Sequence, residues 1–310
     1  MDQLMAAEQE RKNKVKLAGK TVVPVAFLAL AAGAGAVYYT TSSGDPEDTA
    51  PQAQSASRPG PLAEVAHATI GDPGDPATWR LPIESYMPTM QQARLVSSTR
   101  DELIDQCMDD SGYPQWQPAP DLPSLGGTTL TDWRYGIHDA GLASTRGYHP
   151  DAGQQKAYDD AMEAGAVDES GAPDSAVRSC TAKIDGQVPP AQPADIVQRV
   201  SGEAFTESEK DPTVVAAFAK WSACMKAKGY DYDKPMDANE DPRFTDPGQV
   251  TATEIATAKA DIACRDQYNV TRTWFDAESR IQRDKIAKHL DDFKAAAKAA
   301  GDAVAKAKAA

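Results

Sequence analysis

One motif occurs twice in this chain and constrains it more than any other feature. Cys107-Met108 is followed by Gly112-Tyr113, and Cys224-Met225 by Gly229-Tyr230 at the same spacing. Each copy closes a helical pattern, and each has one further cysteine downstream, Cys180 and Cys264. In an exported chain, four cysteines at such spacings describe a disulfide framework with three possible connectivities. The pairing Cys107–Cys180 with Cys224–Cys264 is preferred, because each bond then ties a helix to the next suitable helix. In the loop-entropy model each closure contributes about 4 kcal/mol. That contribution matters here, because the apolar content leans on alanine, which buries little area per residue. A zinc site is disfavoured: there is no C-x-x-C, and His67, His138, His149 and His289 do not fall at ligand spacing. A thiol nucleophile is disfavoured too, since the cysteines lie beside methionine on apolar helix faces. No cofactor is implied.

The N-terminus sets the expected compartment. Residues 1–20 form a basic tail carrying Arg11, Lys12, Lys14, Lys16 and Lys20, and 21–39 is an uncharged, largely apolar run. Its length is near the roughly twenty residues a helix needs to cross a bilayer. Positive charge before it and acidic residues after it place the N-terminus in the cytoplasm and the remainder outside. Two readings stay open: an uncleaved single-pass anchor, or a signal peptide cleaved after Ala36. The formal net charge is −14 and residues 1–20 contribute +2, so the exported part carries −16. Such a body repels nucleic acid and anionic headgroups, which argues against both as partners of the folded domain.

Residues 40–79 are rich in Pro, Ala, Ser, Gly and Asp and read as a flexible linker. The expected fold class is mainly α with little or no sheet: a disulfide-stapled helical ectodomain over 80–290. It divides into two Cys-paired halves, 80–190 and 191–290, followed by an Ala/Lys-rich helical tail over 291–310. Helices are expected from Thr89 to Asp110, after Asp139, from Ala152 to Gly165, and after Asp174. In the second half they run from Ala194 to Phe205 and after Asp211-Pro212, where Val214, Phe218, Trp221 and Met225 share one face. Gly112 and Gly229 supply the stops, with each following tyrosine folding back over a disulfide. An acidic loop from Asp231 to Asp246 leads to one long final helix. With only a thin apolar seam (Phe293, Ala297, Val304), the tail reads either as a candidate docking element or as a solvated tail.

At this point the residues resemble a known family. Leu81-Pro82-Ile83-Glu84-Ser85-Tyr86-Met87-Pro88, Cys107-Met108, Arg134-Tyr135-Gly136 and Gly147-Tyr148-His149-Pro150 carry the resemblance in the first half. Trp221-Ser222-Ala223-Cys224-Met225, Gly229-Tyr230-Asp231-Tyr232, Ala260-Asp261-Ile262-Ala263-Cys264 and Trp274-Phe275 carry it in the second. Together they are similar to exported actinobacterial proteins, membrane-anchored or lipoprotein-like, with paired C-M-x-x-x-G-Y motifs. This chain departs from the lipoprotein-like members in having no lipid-bearing cysteine. The resemblance implies location and architecture, and an unknown envelope partner, since some relatives are encoded near envelope transporters. It implies no activity.

Two clusters are candidate sites. Trp133, Arg134, Tyr135, Tyr148 and His149 combine rings with cationic groups and could line a groove for a glycan or peptide; alternatively the glycines make turns and the rings pack on helices. Asp237, Asn239 and Asp241 reproduce the opening of a calcium loop, but Pro242 and Gly248 stand where the motif needs Gly and Glu. A solvated acidic loop is the better reading. No catalytic residues are assigned, because no nucleophile elbow, metal-protease helix or phosphate loop is present. The function expected is a non-catalytic extracytoplasmic envelope protein that binds a membrane or cell-wall partner. The alternative is an enzyme acting on cell-wall polymers through the aromatic cluster. If 21–39 is an anchor, membrane fractions should yield a chain whose sequenced N-terminus is the initiating segment; a chain beginning at Val37 would establish cleavage instead.

Overall fold

The computed structural model describes residues 65–165, 168 and 170–310. Among the described residues the chain forms ten α-helices and no strand, with one isolated antiparallel bridge between Thr69 and Arg80. The helices are α1 Met90–Asp110, α2 Ala140–Arg146, α3 Ala152–Gly165, α4 Asp174–Gln187 and α5 Asp195–Ser208. They continue with α6 Pro212–Ala227, α7 Pro235–Asn239, α8 Ala252–Gln267, α9 Val270–Lys288 and α10 Leu290–Ala309. None is long and apolar enough to cross a membrane. The run at 21–39 and the basic tail lie outside the described residues.

Local chemistry accounts for the starts. Thr89 and Gln92 form a reciprocal capping box on α1, the Asp139 carboxylate accepts two N–H groups of α2, and Asp211 accepts from Thr213 ahead of α6. The repeated motif is a helix stop. The Tyr113 N–H donates to the Met108 carbonyl and the Gly112 N–H to that of Asp109, and Tyr230–Met225 and Gly229–Lys226 repeat the pair. These two bonds define a Schellman cap. The motif spacing follows from it: glycine takes the left-handed position, at φ +92 and +90, and the tyrosine packs back toward the last turn. Tyr113 accordingly packs in the small cluster around Cys107 and Cys180, and Tyr230 against the main core.

Both disulfides are formed as Cys107–Cys180 and Cys224–Cys264, with Cα separations of 5.7 and 5.8 Å. The first joins α1 to α4 around Ile104, Met108, Trp116 and Ile184. The second joins α6 to α8 inside the main core, which holds Trp221, Trp274, Phe275, Tyr135 and Leu81. That core corrects the expected division at residue 190. Helix α2 packs on α8, segment 82–86 on α9 and α10, and α1 on α10, so first-half elements are interior to the second half.

Three further expectations are corrected. The linker does not extend to residue 79, because residues 65–79 are packed. Trp79 is buried edge-on to Phe275, and the Thr131 and Thr129 hydroxyls donate to the Trp79 and Ala77 carbonyls. The long final helix is three helices. It breaks at Asn269, which sits in the left-handed region at φ +51, a conformation asparagine tolerates, and again at His289. The C-terminal tail is not a free docking element, since Phe293, Ala303, Val304 and Ala307 are buried, and α10 lies along α1.

A Cβ at Gly112 or Gly229 would meet nothing within 4 Å, so substitution there is penalised by backbone conformation alone. Gly112→Ala and Gly229→Ala should each cost about 1 kcal/mol in urea unfolding.

Candidate functional site

The aromatic cluster is an interior feature. Tyr135, Tyr148 and His149 are buried, and Trp133 is half-buried. Arg134 forks onto Glu278 of α9, with Nε 2.9 and 3.0 Å from the two carboxylate oxygens, and its guanidinium lies over the Phe205 ring. The same carboxylate accepts from the Tyr135 hydroxyl at 2.8 Å and from Gln282 at 2.7 Å. Gln282 in turn accepts the Ile83 N–H. Glu278 is therefore a fully enclosed carboxylate with a charged partner, the condition under which burial of charge is tolerated.

A second enclosed pair lies one helix away. Asp261 and Arg265 of α8 are 0% and 2% exposed and bond through both carboxylate oxygens at 2.6 and 3.0 Å. The Trp221 indole N–H donates to Asp261 at 2.8 Å and the Tyr148 hydroxyl at 3.3 Å. Arg265 also donates to the carbonyls of Tyr135 and Pro235. Gly136 belongs to this arrangement: at φ +94 its backbone faces the guanidinium, and a Cβ there would collide with it.

Gly147 plays the matching role beside Glu254 of α8, whose carboxylate occupies the space a Cβ would need. Glu254 is fully buried and accepts the Tyr148 N–H at 3.0 Å. His149 Nε2 lies 3.5 Å from the same oxygen, outside good hydrogen-bond geometry. Of the five residues expected to line a groove, Tyr135, Tyr148 and His149 thus belong to the protein's own interior, with Trp133 and Arg134 partly buried beside them. The rings supply apolar area, while Arg134 and the tyrosine hydroxyls satisfy buried carboxylates.

The acidic loop is also structured internally. Asp237 caps α7 by accepting the Lys234 N–H, and Asn239 is the last residue of that helix. Asp241 accepts from the Arg243 guanidinium and from the Tyr232 hydroxyl at 2.6 Å. Chiefly through Arg243, its carboxyl is held well below the usual range. These oxygens are not convergent, and among the described residues no group of three His, Cys, Asp or Glu is placed to hold a metal ion. The calcium candidate is replaced by a turn, an ion pair and two caps.

An exposed concave surface lies elsewhere, on the outer side of α6, as an open depression of about 530 Å³. Val215, Phe218, Ala219 and Ala223 line it, with Glu209 toward one end and Lys226, Asp233 and Lys234 toward the other. Val215 is 51% exposed, unusually high for a large apolar side chain in this fold. The sequence pattern picked out the inner face of α6 and passed over this one. The available signal was that α6 is apolar nearly all round, as expected of a helix with a second face to cover. Comparison with protein-family models, curated proteins and solved structures found no match.

The two interior tyrosines make the fold sensitive to alkali. Burial first, then the adjacent Glu278 carboxylate, pushes the Tyr135 hydroxyl well above its usual range, and burial with Asp261 does the same for Tyr148. Unfolded tyrosine ionises near about 10. Their stabilisation is therefore complete below that pH and is lost as pH rises above it, because only the unfolded chain releases these protons. Absorbance titration of tyrosinate should show Tyr135 and Tyr148 ionising only together with unfolding.

Proposed function

We propose that this protein is a non-catalytic, extracytoplasmic envelope component, held at the membrane by residues 21–39, that binds another envelope component through the outer face of α6. The observation that carries the reading is the α6 depression with its half-exposed Val215. Apolar concave surfaces with a few charged groups at the margin are where proteins bind other molecules. Two disulfides are compatible with an oxidising compartment. The side chains best suited to chemistry, Arg134, Tyr135, Tyr148, Glu254 and Glu278, are enclosed and serve one another. The partner is an envelope protein or a cell-wall component, and the charge of the chain argues against nucleic acid.

Location and binding are tested together on the full chain. Protease added to intact spheroplasts should degrade the domain, and alkylation without reductant should label none of the four cysteines. Cross-linked complexes isolated from membranes should lose their partner band when Val215 is changed to Glu. Recovery of the chain from the cytosol with free thiols would overturn the assignment. Release of soluble fragments from peptidoglycan by the purified protein would replace it with the wall-enzyme reading.

A further inference from the structure

We infer that the outer face of α6 is a self-association surface, and that its occupant is the same face of a second copy of this chain. The inference rests on the reading of this face as a binding surface and adds the identity of what covers it. Val215, Ala219 and Ala223 lie at four-residue intervals, one above another along the exposed side of the helix. A two-fold axis through Ala219, with the helices antiparallel, sets Val215 of each copy opposite Ala223 of the other. The large side chain then meets the small one at both ends of the contact. A face carrying both the protrusion and the hollow that receives it is what an isologous interface requires.

The charges at the margin obey the same symmetry. Lys226 is neutralised within the chain by Asp231 and Asp233 at 3.3 and 3.1 Å. Glu209, just ahead of the helix, and Lys234, beside its C-terminal half, have no ion-pair partner among the described residues. Glu209 precedes α6, and Lys234 follows Asp233, which pairs with Lys226 in the last turn, so the two charges lie toward opposite ends of the depression. Antiparallel docking brings Glu209 of each copy toward Lys234 of the other, making the pairing twice. The reverse, parallel arrangement would put like charges together. One helix face buries less than the roughly 1,200 Å² of a stable standard interface. The dimer is accordingly weak in dilute solution, and confinement of both copies to one membrane would raise their effective concentration.

The test uses two differently tagged copies of the full chain, co-expressed and recovered through one tag. The second tag should co-purify, and Val215→Glu should reduce that recovery at least about tenfold, since it places a charge in the desolvated contact. Glu209→Lys and Lys234→Glu should each lower recovery about threefold, and the double swap carrying both changes should restore it. Val215 is exposed, so its variant should melt within a few degrees of the parent; if it does not, the charge-swap series decides alone. Absence of co-purification, recovery unaffected by Val215→Glu, or failure of the double swap to restore recovery would each overturn self-association through this face. Cross-links from α6 to residues 40–64 of the same chain would overturn it in favour of an internal occupant. If Val215→Glu abolishes capture of a different envelope component while tagged copies never co-purify, the binding surface stands and the dimer falls.

Discussion

The Asp261–Arg265 pair is the interaction on which the rest of this structure depends. Both groups are removed from solvent, where an unpaired charge is prohibitive and a pair survives only if its remaining hydrogen-bonding capacity is filled. That capacity is filled by four other segments: Trp221 from α6, Pro235 at the start of α7, the Tyr135 carbonyl and the Tyr148 hydroxyl. Each must sit where it does for the pair to be satisfied. Cys264 stands between the two on the same helix, so the disulfide to Cys224 clamps α6 against the network it helps to close.

A second network repeats the logic around Glu278. Arg134, Tyr135 and Gln282 meet on one carboxylate, and Gln282 carries the connection to the backbone of Ile83. Tyr135 thus serves both networks, through its carbonyl in one and its hydroxyl in the other. A chain whose apolar residues are so often alanine gains less from area than a leucine-rich one. Its interior is specified instead by tryptophan and tyrosine rings, two enclosed ion pairs and two covalent links. The same economy explains why the most chemically capable side chains are not at the surface. On the outer skin, α6 combines a large, half-exposed apolar side chain with an adjoining depression.

Several features were legible in the linear chain because they are local. Thr89, Asp139 and Asp211-Pro212 mark helix starts by side-chain capping, and Gly112 and Gly229 mark stops by backbone conformation. Loop closure favours nearby partners, so the disulfide pairing could also be chosen by proximity. The break at Asn269 did leave a local mark: Ile255 and Ile262 share one helical register and Trp274 and Ile281 another, but the step from Ile262 to Trp274 fits no three-, four- or seven-residue spacing. The anchoring of residues 65–79 was hidden by their composition: one tryptophan and a few carbonyls accepted by distant threonines are enough to order a proline-rich segment.

From residue order alone came the helical class, the helix ends and the two cross-links, all set by interactions within a few turns or by covalent chemistry. Tertiary structure alone decided that Tyr135, Tyr148 and His149 are interior, with Trp133 and Arg134 partly buried beside them. Their placement depends on Glu254, Asp261, Arg265 and Glu278, more than a hundred residues away, and those charged residues look no different in sequence from solvated ones. It also decided which side of α6 faces outward, because a helix apolar on two sides carries no local mark of the one the core will claim.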